Sequence, residues 1–320
     1  MTNEELSQMI RVVKKKYILE MKQNKIAKLE GISSASVSRI INKAKDLGYV
    51  EVKLNFPSME DQELKDKLKE MFDLKHVFVA KTQTDNYDLR LSSVSDELAV
   101  YLNEIIEDDS IVGVSWGETM TYLSNNLIPL KKNNLKIVQL NGGISNRNVS
   151  SPSENILINF AKNFSSEWYF LNAPSFVDNS EIANTIRKDS KVKEMLDLIN
   201  NTDTVIFSVG AVSKDSILIQ AGYFTEEEYE DLREKGYVGD ICSRYFKIDG
   251  SHATGELYDR VIGISLEEIK NKKDSVCISI GKAKAKSILG GLRGKYINTL
   301  FTDDITAKEI IRLENKNTNA

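Results

Sequence analysis

Residues 23–39, QNKIAKLEGISSASVSR, decide how the amino-terminal end is read. Gln23 to Glu30 reads as a short helix with Ile26, Ala27 and Leu29 apolar, and Gly31 interrupts it. Ser33 is a good N-cap for a further helix over about 34–45, which buries Val37, Ile40 and Ile41. Two helices that cross steeply need a small residue at their close approach, and Ala27 supplies it. Four residues on, the turn favours a positive φ, which Gly31 accepts at little steric cost. Val37 then points back into the crossing, with Ile40 following on the same face. This spacing predicts a DNA-binding helix-turn-helix.

Working outward, Leu6, Met9, Ile10, Val13 and Tyr17 recur at helical steps and predict a preceding helix with one apolar stripe. The exposed face of the third helix offers Ser34, Ala35, Ser36, Ser38, Arg39 and Lys43. Short side chains at its start let the backbone approach base edges in the major groove, and Arg39 suits a guanine edge or a phosphate. Gln23 opens the second helix, where an N-terminus meets a phosphate. Lys22, Lys25, Lys28 and Lys45 are read as backbone neutralisers, and Lys14 to Lys16 as solvated charges. Gly48 ends the third helix, and residues 49–54 alternate as a β-wing or short strand would.

Charge separates this segment from the rest. Residues 1–56 hold 11 Lys and Arg against 6 Asp and Glu, a net +5, whereas residues 57–320 hold 32 against 41, a net −9. A polyanion partner is therefore expected for the first part only. The 320 residues are 41% hydrophobic and 28% charged, an ordinary globular composition that can bury a core without disulfides. Two cysteines and two histidines supply neither a disulfide framework nor zinc or Ser/His/Asp chemistry. No cofactor, metal or catalytic residue is expected. No run of 18 apolar residues and no apolar signal core is present, so the expectation is a cytoplasmic protein without a membrane partner.

Pro57 marks the boundary, giving a helix-turn-helix domain over 1–56 and a larger domain over 57–320. Ser58 is expected to cap a charged linker helix through about Phe72, followed by a strand over 76–80 with His76 at its edge. Further strands are expected over 111–115, 136–140, 169–171, 204–209, 261–264, 276–280 and 297–301. Helices are expected over about 91–107, 119–127, 154–164, 190–200, 225–235, 283–292 and 304–313. Apolar strands alternating with amphipathic helices predict an α/β fold with a doubly wound parallel sheet.

In such sheets ligands bind beyond the carboxyl ends of the strands. There, Gly117 permits close approach, and the N–H groups of residues 118–120, Met120 included, join the Thr119 hydroxyl as a phosphate cradle. A second strand end carries Gln139, Asn141, Gly142 and Gly143, and a third runs from Gly281 to Lys286 with Lys284 inside it. Three glycine-bearing strand ends together predict a site for an anionic ligand. Asp240 reads either as an acceptor for sugar hydroxyls or as a helix or turn cap. Trp116 reads either as a lid on the ligand or as core, and Cys242 and Cys277 as buried small residues.

Five stretches taken together resemble the SorC family of bacterial sugar-responsive transcription regulators, close to its DeoR-type deoxyribonucleoside regulators. They are residues 23–39, GVSWGETM at 113–120, VQLNGGIS at 138–145, VGDICSRYF at 238–246 and LRGKYINTLFTDDITA at 292–307. The resemblance implies a helix-turn-helix joined to an effector domain akin to phosphosugar isomerases. It implies a phosphorylated sugar effector, with deoxyribose 5-phosphate a candidate, repression of operator DNA, and a homo-oligomer, commonly a tetramer. It further implies phosphate-holding roles for Gly117, Thr119 and Lys284, and hydroxyl-binding roles for Gln139 and Asp240. The chain departs from the family in two places. Ser279-Ile280-Gly281 stands where Ala-Gly-Gly is common, so Ile280 is expected to narrow the pocket. Asn141 stands where some relatives carry lysine, and an amide forms no imine, so noncovalent binding is expected.

The rival reading is a phosphosugar isomerase with an added DNA-binding domain. It needs a base near the C1–C2 protons, and Asp240 is the only carboxylate nominated for it. A pure oligomerisation scaffold leaves the glycine-bearing strand ends without a purpose.

Overall fold

A computed structural model of the chain describes residues 1–50, 59–144 and 153–318. The residues fall into two compact units, Met1–Pro57 and Ser58–Ala320.

The first unit holds three helices, α1 (Asn3–Tyr17), α2 (Gln23–Glu30) and α3 (Ser34–Asp46). Thr2 and Glu5 form a capping box on α1, and the Ser33 side chain caps α3 by accepting from the Ser36 N–H. Gly31 ends α2 at φ +66°, the left-handed conformation its position requires. Val12, Ile26, Ala27, Val37 and Ile41 form the core, with Ile40 half-buried against it. The inward stripe of α1 is rotated from the expected one. Met9 and Val12 are buried, whereas Ile10 and Tyr17 are exposed. Leu29 is exposed as well, because α2 buries only its Ile26–Ala27 edge against α1 and α3. Of the expected wing over 49–54, residues 51–54 lie outside the described residues.

The second unit is built on a parallel seven-stranded sheet. Its strands are β1 (His76–Ala80), β2 (Ile111–Val114), β3 (Lys136–Gln139), β4 (Glu167–Tyr169), β5 (Thr204–Phe207), β9 (Asp274–Ile278) and β10 (Thr299–Asp303). Three shorter strands, β6 (Gly210–Ala211), β7 (Tyr237–Ile241) and β8 (Arg244–Lys247), form a separate antiparallel sheet. The order in the large sheet is β1-β10-β9-β5-β2-β3-β4. Alternate residues of β1, β5, β9 and β10 enter different cores. Val77, Val79, Val205, Phe207, Cys277 and Leu300 enter one. Phe78, Ala80, Ile206, Val276, Ile278 and Phe301 enter the other. A sheet covered on both faces explains the near-continuous apolar runs.

Strand order fixes where a ligand fits. From β2 the chain winds outward through β3 to β4, returns to β5 beside β2, and winds the other way through β9 to β10. The topological switch point therefore lies between β2 and β5, whose carboxyl ends flank an open crevice.

Several expectations are corrected. The linker helix runs from Gln62 to Phe72, and its cap is Asp61, whose carboxylate accepts from the Leu64 N–H at 3.2 Å. Ser58 lies outside the described residues. Val261, Ile262 and Ile264 are buried, but residues 261–264 form no strand. Val261 and Gly263 make only isolated bridges, to Phe176 and Asn141. The Arg244 guanidinium takes the carbonyls of Val261, Gly263 and Ile264, leaving no free ladder, and Gly263 bends the chain at φ +145°. The strand expected over 169–171 lies two residues earlier, paired through Lys136 and Glu167. Asp240 caps no helix, but it does cap a turn, its carboxylate accepting from the Ser243 N–H at 3.1 Å. It lies within β7, opposite Gly210 of β6.

Candidate functional site

On the first unit, Ser34, Ala35, Arg39 and Lys43 are exposed along α3, while Ser36 and Ser38 are half-buried. Gln23 is half-buried at the start of α2. The Ser34 hydroxyl donates to Asn24 Oδ1 at 3.0 Å and ties the starts of α2 and α3 together. Lys15 is not the solvated charge expected of it. It and Arg11 converge on Glu30, the Arg11 pair closing at 3.1 Å. Lys15, then Arg11, holds the Glu30 carboxyl below its usual pKa. This knot leaves Arg39, Lys43 and Lys45 on α3 as the cations beside the small-residue face.

On the second unit, a cavity of about 310 Å³ opens beyond the carboxyl ends of β2, β3, β5 and β9. Gly117, Thr119, Asn141, Asp240 and Lys284 line it, so five of the eight expected effector residues meet there. Three do not reach it. Met120 is fully buried in the core beneath helix Glu118–Asn125. Gln139 lies inside the fold, where its Nε2 donates to the Asn141 carbonyl at 2.6 Å and shapes the turn. Gly143 bridges to Pro174. Ile280 also stays out of the cavity. It packs in the same core as Met120, so it narrows nothing.

Gly117, at φ +129°, starts helix Glu118–Asn125. The first N–H groups of that helix have no intrahelical acceptor, as at any helix start. The Thr119 hydroxyl is hydrogen-bonded to the Tyr87 phenol oxygen, which accepts. Lys284 ends the short 3₁₀ turn that follows Gly281. Burial pulls its ammonium below the usual lysine pKa, against the opposing pull of Cys277, Asp240 and Glu118. Burial pushes Asp240 up to about 6, while its bond from the Ser243 N–H at 3.1 Å and the charge of Lys284 act the other way. A hydrogen-bond chain runs from Asn141 Nδ2 to Ser175 Oγ (3.2 Å), then to Ser243 Oγ (2.9 Å), whose own N–H reaches Asp240. The cavity thus sets a cation and free helix N–H groups near a carboxylate and an amide.

Trp116 is half-buried, packs against two apolar clusters and donates from Nε1 to the Gly142 carbonyl at 2.8 Å. It is a fixed wall. Burial raises both thiols, Cys277 to about 12, so neither is poised as a nucleophile. Sequence reasoning missed Ser115, Ser208 and Ser243 as lining residues. It also missed the segment with Ser213, Asp215 and Ser216, which the Ser216–Tyr229 contact at 2.6 Å anchors. A strand extended through 204–209 conceals that β5 stops at Phe207, with Ser208 already outside it.

No helix among the described residues is long and apolar enough to cross a membrane. Residues 57–312 match the family described as "Putative sugar-binding domain". The chain is 34% identical over 295 residues to the deoxyribonucleoside regulator of Bacillus subtilis strain 168, covering 92% of this chain and 94% of that one. It is 26% identical over 313 residues to the sorbitol operon regulator of Klebsiella pneumoniae, covering 97% and 99%. The crystal structure of the full-length Klebsiella pneumoniae sorbitol operon regulator SorC superposes with a TM-score of 0.74 at 26% identity, covering 97% of this chain and 99% of that one. These relatives are regulators and not enzymes, as expected of this chain. The parallel-sheet architecture, the match to the sugar-binding domain and the likeness along nearly the whole length agree: the chain belongs to the SorC family of transcriptional regulators.

Proposed function

We propose that this protein is a cytoplasmic transcriptional repressor whose hold on operator DNA is set by a phosphorylated sugar. The helix-turn-helix domain, 1–56, reads the duplex, and the domain over 57–320 binds the effector and assembles the homo-oligomer, a tetramer. One observation carries the effector reading. Thr119, the start of helix Glu118–Asn125 and Lys284 line the same cavity as Asp240 and Asn141. The first group suits a phosphate, through N–H donors, a hydroxyl and a cation. The second suits hydroxyls, through a carboxylate and an amide. Gly117 lets the phosphate approach the backbone, and Met120 contributes its N–H alone. Gln139 and Gly143 shape the Asn141 turn. Deoxyribose 5-phosphate is the first compound to test, since a relative is a deoxyribonucleoside regulator.

In the DNA head, Arg39 reads a base edge or a phosphate. Ser34, Ala35, Ser36 and Ser38 let α3 sit close to the groove floor, and Gln23 and Lys43 meet the backbone. The effector acts by binding one arrangement of the assembled protein more tightly than another, since a ligand without that difference shifts nothing. A thermal-shift screen of sugar phosphates tests the effector reading. The expected result is a rise in Tm with at least one compound, abolished in Lys284→Ala. A full shift in Lys284→Ala removes that lysine from the site.

A further inference from the structure

We infer that Ser115 and Ser208 form a hydroxyl-reading subsite at the floor of the cavity, which sets how tightly the sugar part of the ligand is held. The inference rests on the proposed function and deepens it. Ser115 is the first residue beyond β2 and Ser208 the first beyond β5, and those two strands are paired neighbours. They flank the switch point of the sheet, where the crevice of a doubly wound fold opens. Both residues line the cavity.

Among the buried hydroxyls without a partner, these two line the cavity. Ser115 is only 5% exposed, and both Oγ atoms are buried with no hydrogen-bond partner. Asn141 Oδ1, beside the same cavity, shares that condition while its Nδ2 is spent on Ser175. A buried polar atom without a partner is unfavourable, so three around one cavity are a standing demand for a polar occupant. The phosphate donors are at Thr119, the helix start and Lys284. The floor offers two hydroxyls, each able to donate and accept, beside an amide oxygen that only accepts. That set matches the hydroxyls of a polyol chain or sugar ring.

The test uses the full-length chain and calorimetric titration with ribose 5-phosphate, 2-deoxyribose 5-phosphate, fructose 6-phosphate, glucose 6-phosphate and inorganic phosphate. Ser115→Ala and Ser208→Ala are each expected to weaken the tightest-binding sugar phosphate by roughly 5- to 30-fold and to leave inorganic phosphate unchanged. Neither variant lowers the Tm of the unliganded protein, because the hydroxyl removed has no partner to lose. Unchanged sugar-phosphate affinity in both variants overturns the inference, as does a drop of several degrees in the unliganded Tm, which makes the hydroxyls structural. Lys284→Ala separates the two levels. If it loses binding while the serine variants keep it, the subsite falls and the phosphosugar reading stands. If the wild type binds none of the sugar phosphates, both fall.

Discussion

Gly210 of β6 lies directly opposite Asp240 of β7, and a Cβ at position 210 would stand 2.0 Å from Asp240 Oδ1. The absence of a side chain at 210 is what lets the carboxylate occupy its place in the cavity wall. The two residues come from different strands of the small sheet, so the pairing of β6 with β7 places this carboxylate in the cavity wall.

Gly210→Ala should therefore act on ligand binding more than on the fold. The new methyl pushes the Asp240 carboxylate aside, with a stability loss of about 1–3 kcal/mol from overpacking. Sugar-phosphate affinity is expected to fall at least 10-fold by titration, while chemical denaturation still shows a cooperative transition. Wild-type affinity in this variant would mean that Asp240 makes no ligand contact.

Asp240 also predicts a pH dependence. Its folded pKa, about 6, is raised by burial above the ordinary carboxylate value. A raised folded pKa contributes stability that is present below the unfolded pKa and lost as pH rises through about 6. Unliganded Asp240→Asn, which carries no charge at either pH, should thus have a higher Tm than wild type at pH 7.5, and the gap should narrow by pH 5. A gap that is the same at both pH values removes Asp240 titration from the account.

Much of this was legible in the sequence. Ala27, Gly31 and Val37 are local signals, and the turn they predict forms with Gly31 at φ +66°. The strands were legible because a sheet buried on both faces is apolar throughout. What stayed hidden depends on partners far along the chain. The turn between β7 and β8 is Cys242-Ser243, with φ of 51° and 66°, the sign pattern of a type I′ turn without its usual Asn-Gly. Residues 261–264 look like a strand until Arg244 claims their carbonyls. In the site, the glycine-bearing strand ends located the cavity. The expected phosphate role of Lys284 needed the family resemblance, whereas the hydroxyl reading of Asp240 was open from the residues alone. The serines of the floor are ordinary until their lack of partners is seen in three dimensions.

The head carries its own prediction. Glu30 joins α2 to α1 through Arg11 and Lys15, and its side chain is only 4% exposed. Glu30→Ala should destabilise the helix-turn-helix by about 1–2 kcal/mol and weaken DNA binding, though no DNA contact is removed. Because the Glu30 pKa is lowered, the stabilisation it gives is present above the unfolded pKa and is lost as the solution is acidified through the folded one. Hydrogen exchange of the α1–α3 amides reads this directly, and unchanged protection would show the ion pairs to be idle.

Arg39 and Lys43 should separate by mechanism. Arg39→Ala is expected to relax sequence preference, with a loss of roughly 1–3 kcal/mol at the base it reads. Lys43→Ala should weaken all sequences alike and reduce the slope of log affinity against log salt by about 1. Filter binding to selected and scrambled duplexes across a salt series distinguishes them. A wild-type affinity that ignores salt would contradict the electrostatic grip altogether.

The central claim is that occupation of the cavity sets the hold on DNA. It is tested most directly by titrating the full-length protein against a genomic fragment selected for tight binding, with and without the sugar phosphate that raises Tm most. At least a 10-fold change in DNA affinity is expected in wild type and none in Lys284→Ala. Equal affinity with and without saturating ligand in the wild type would contradict it.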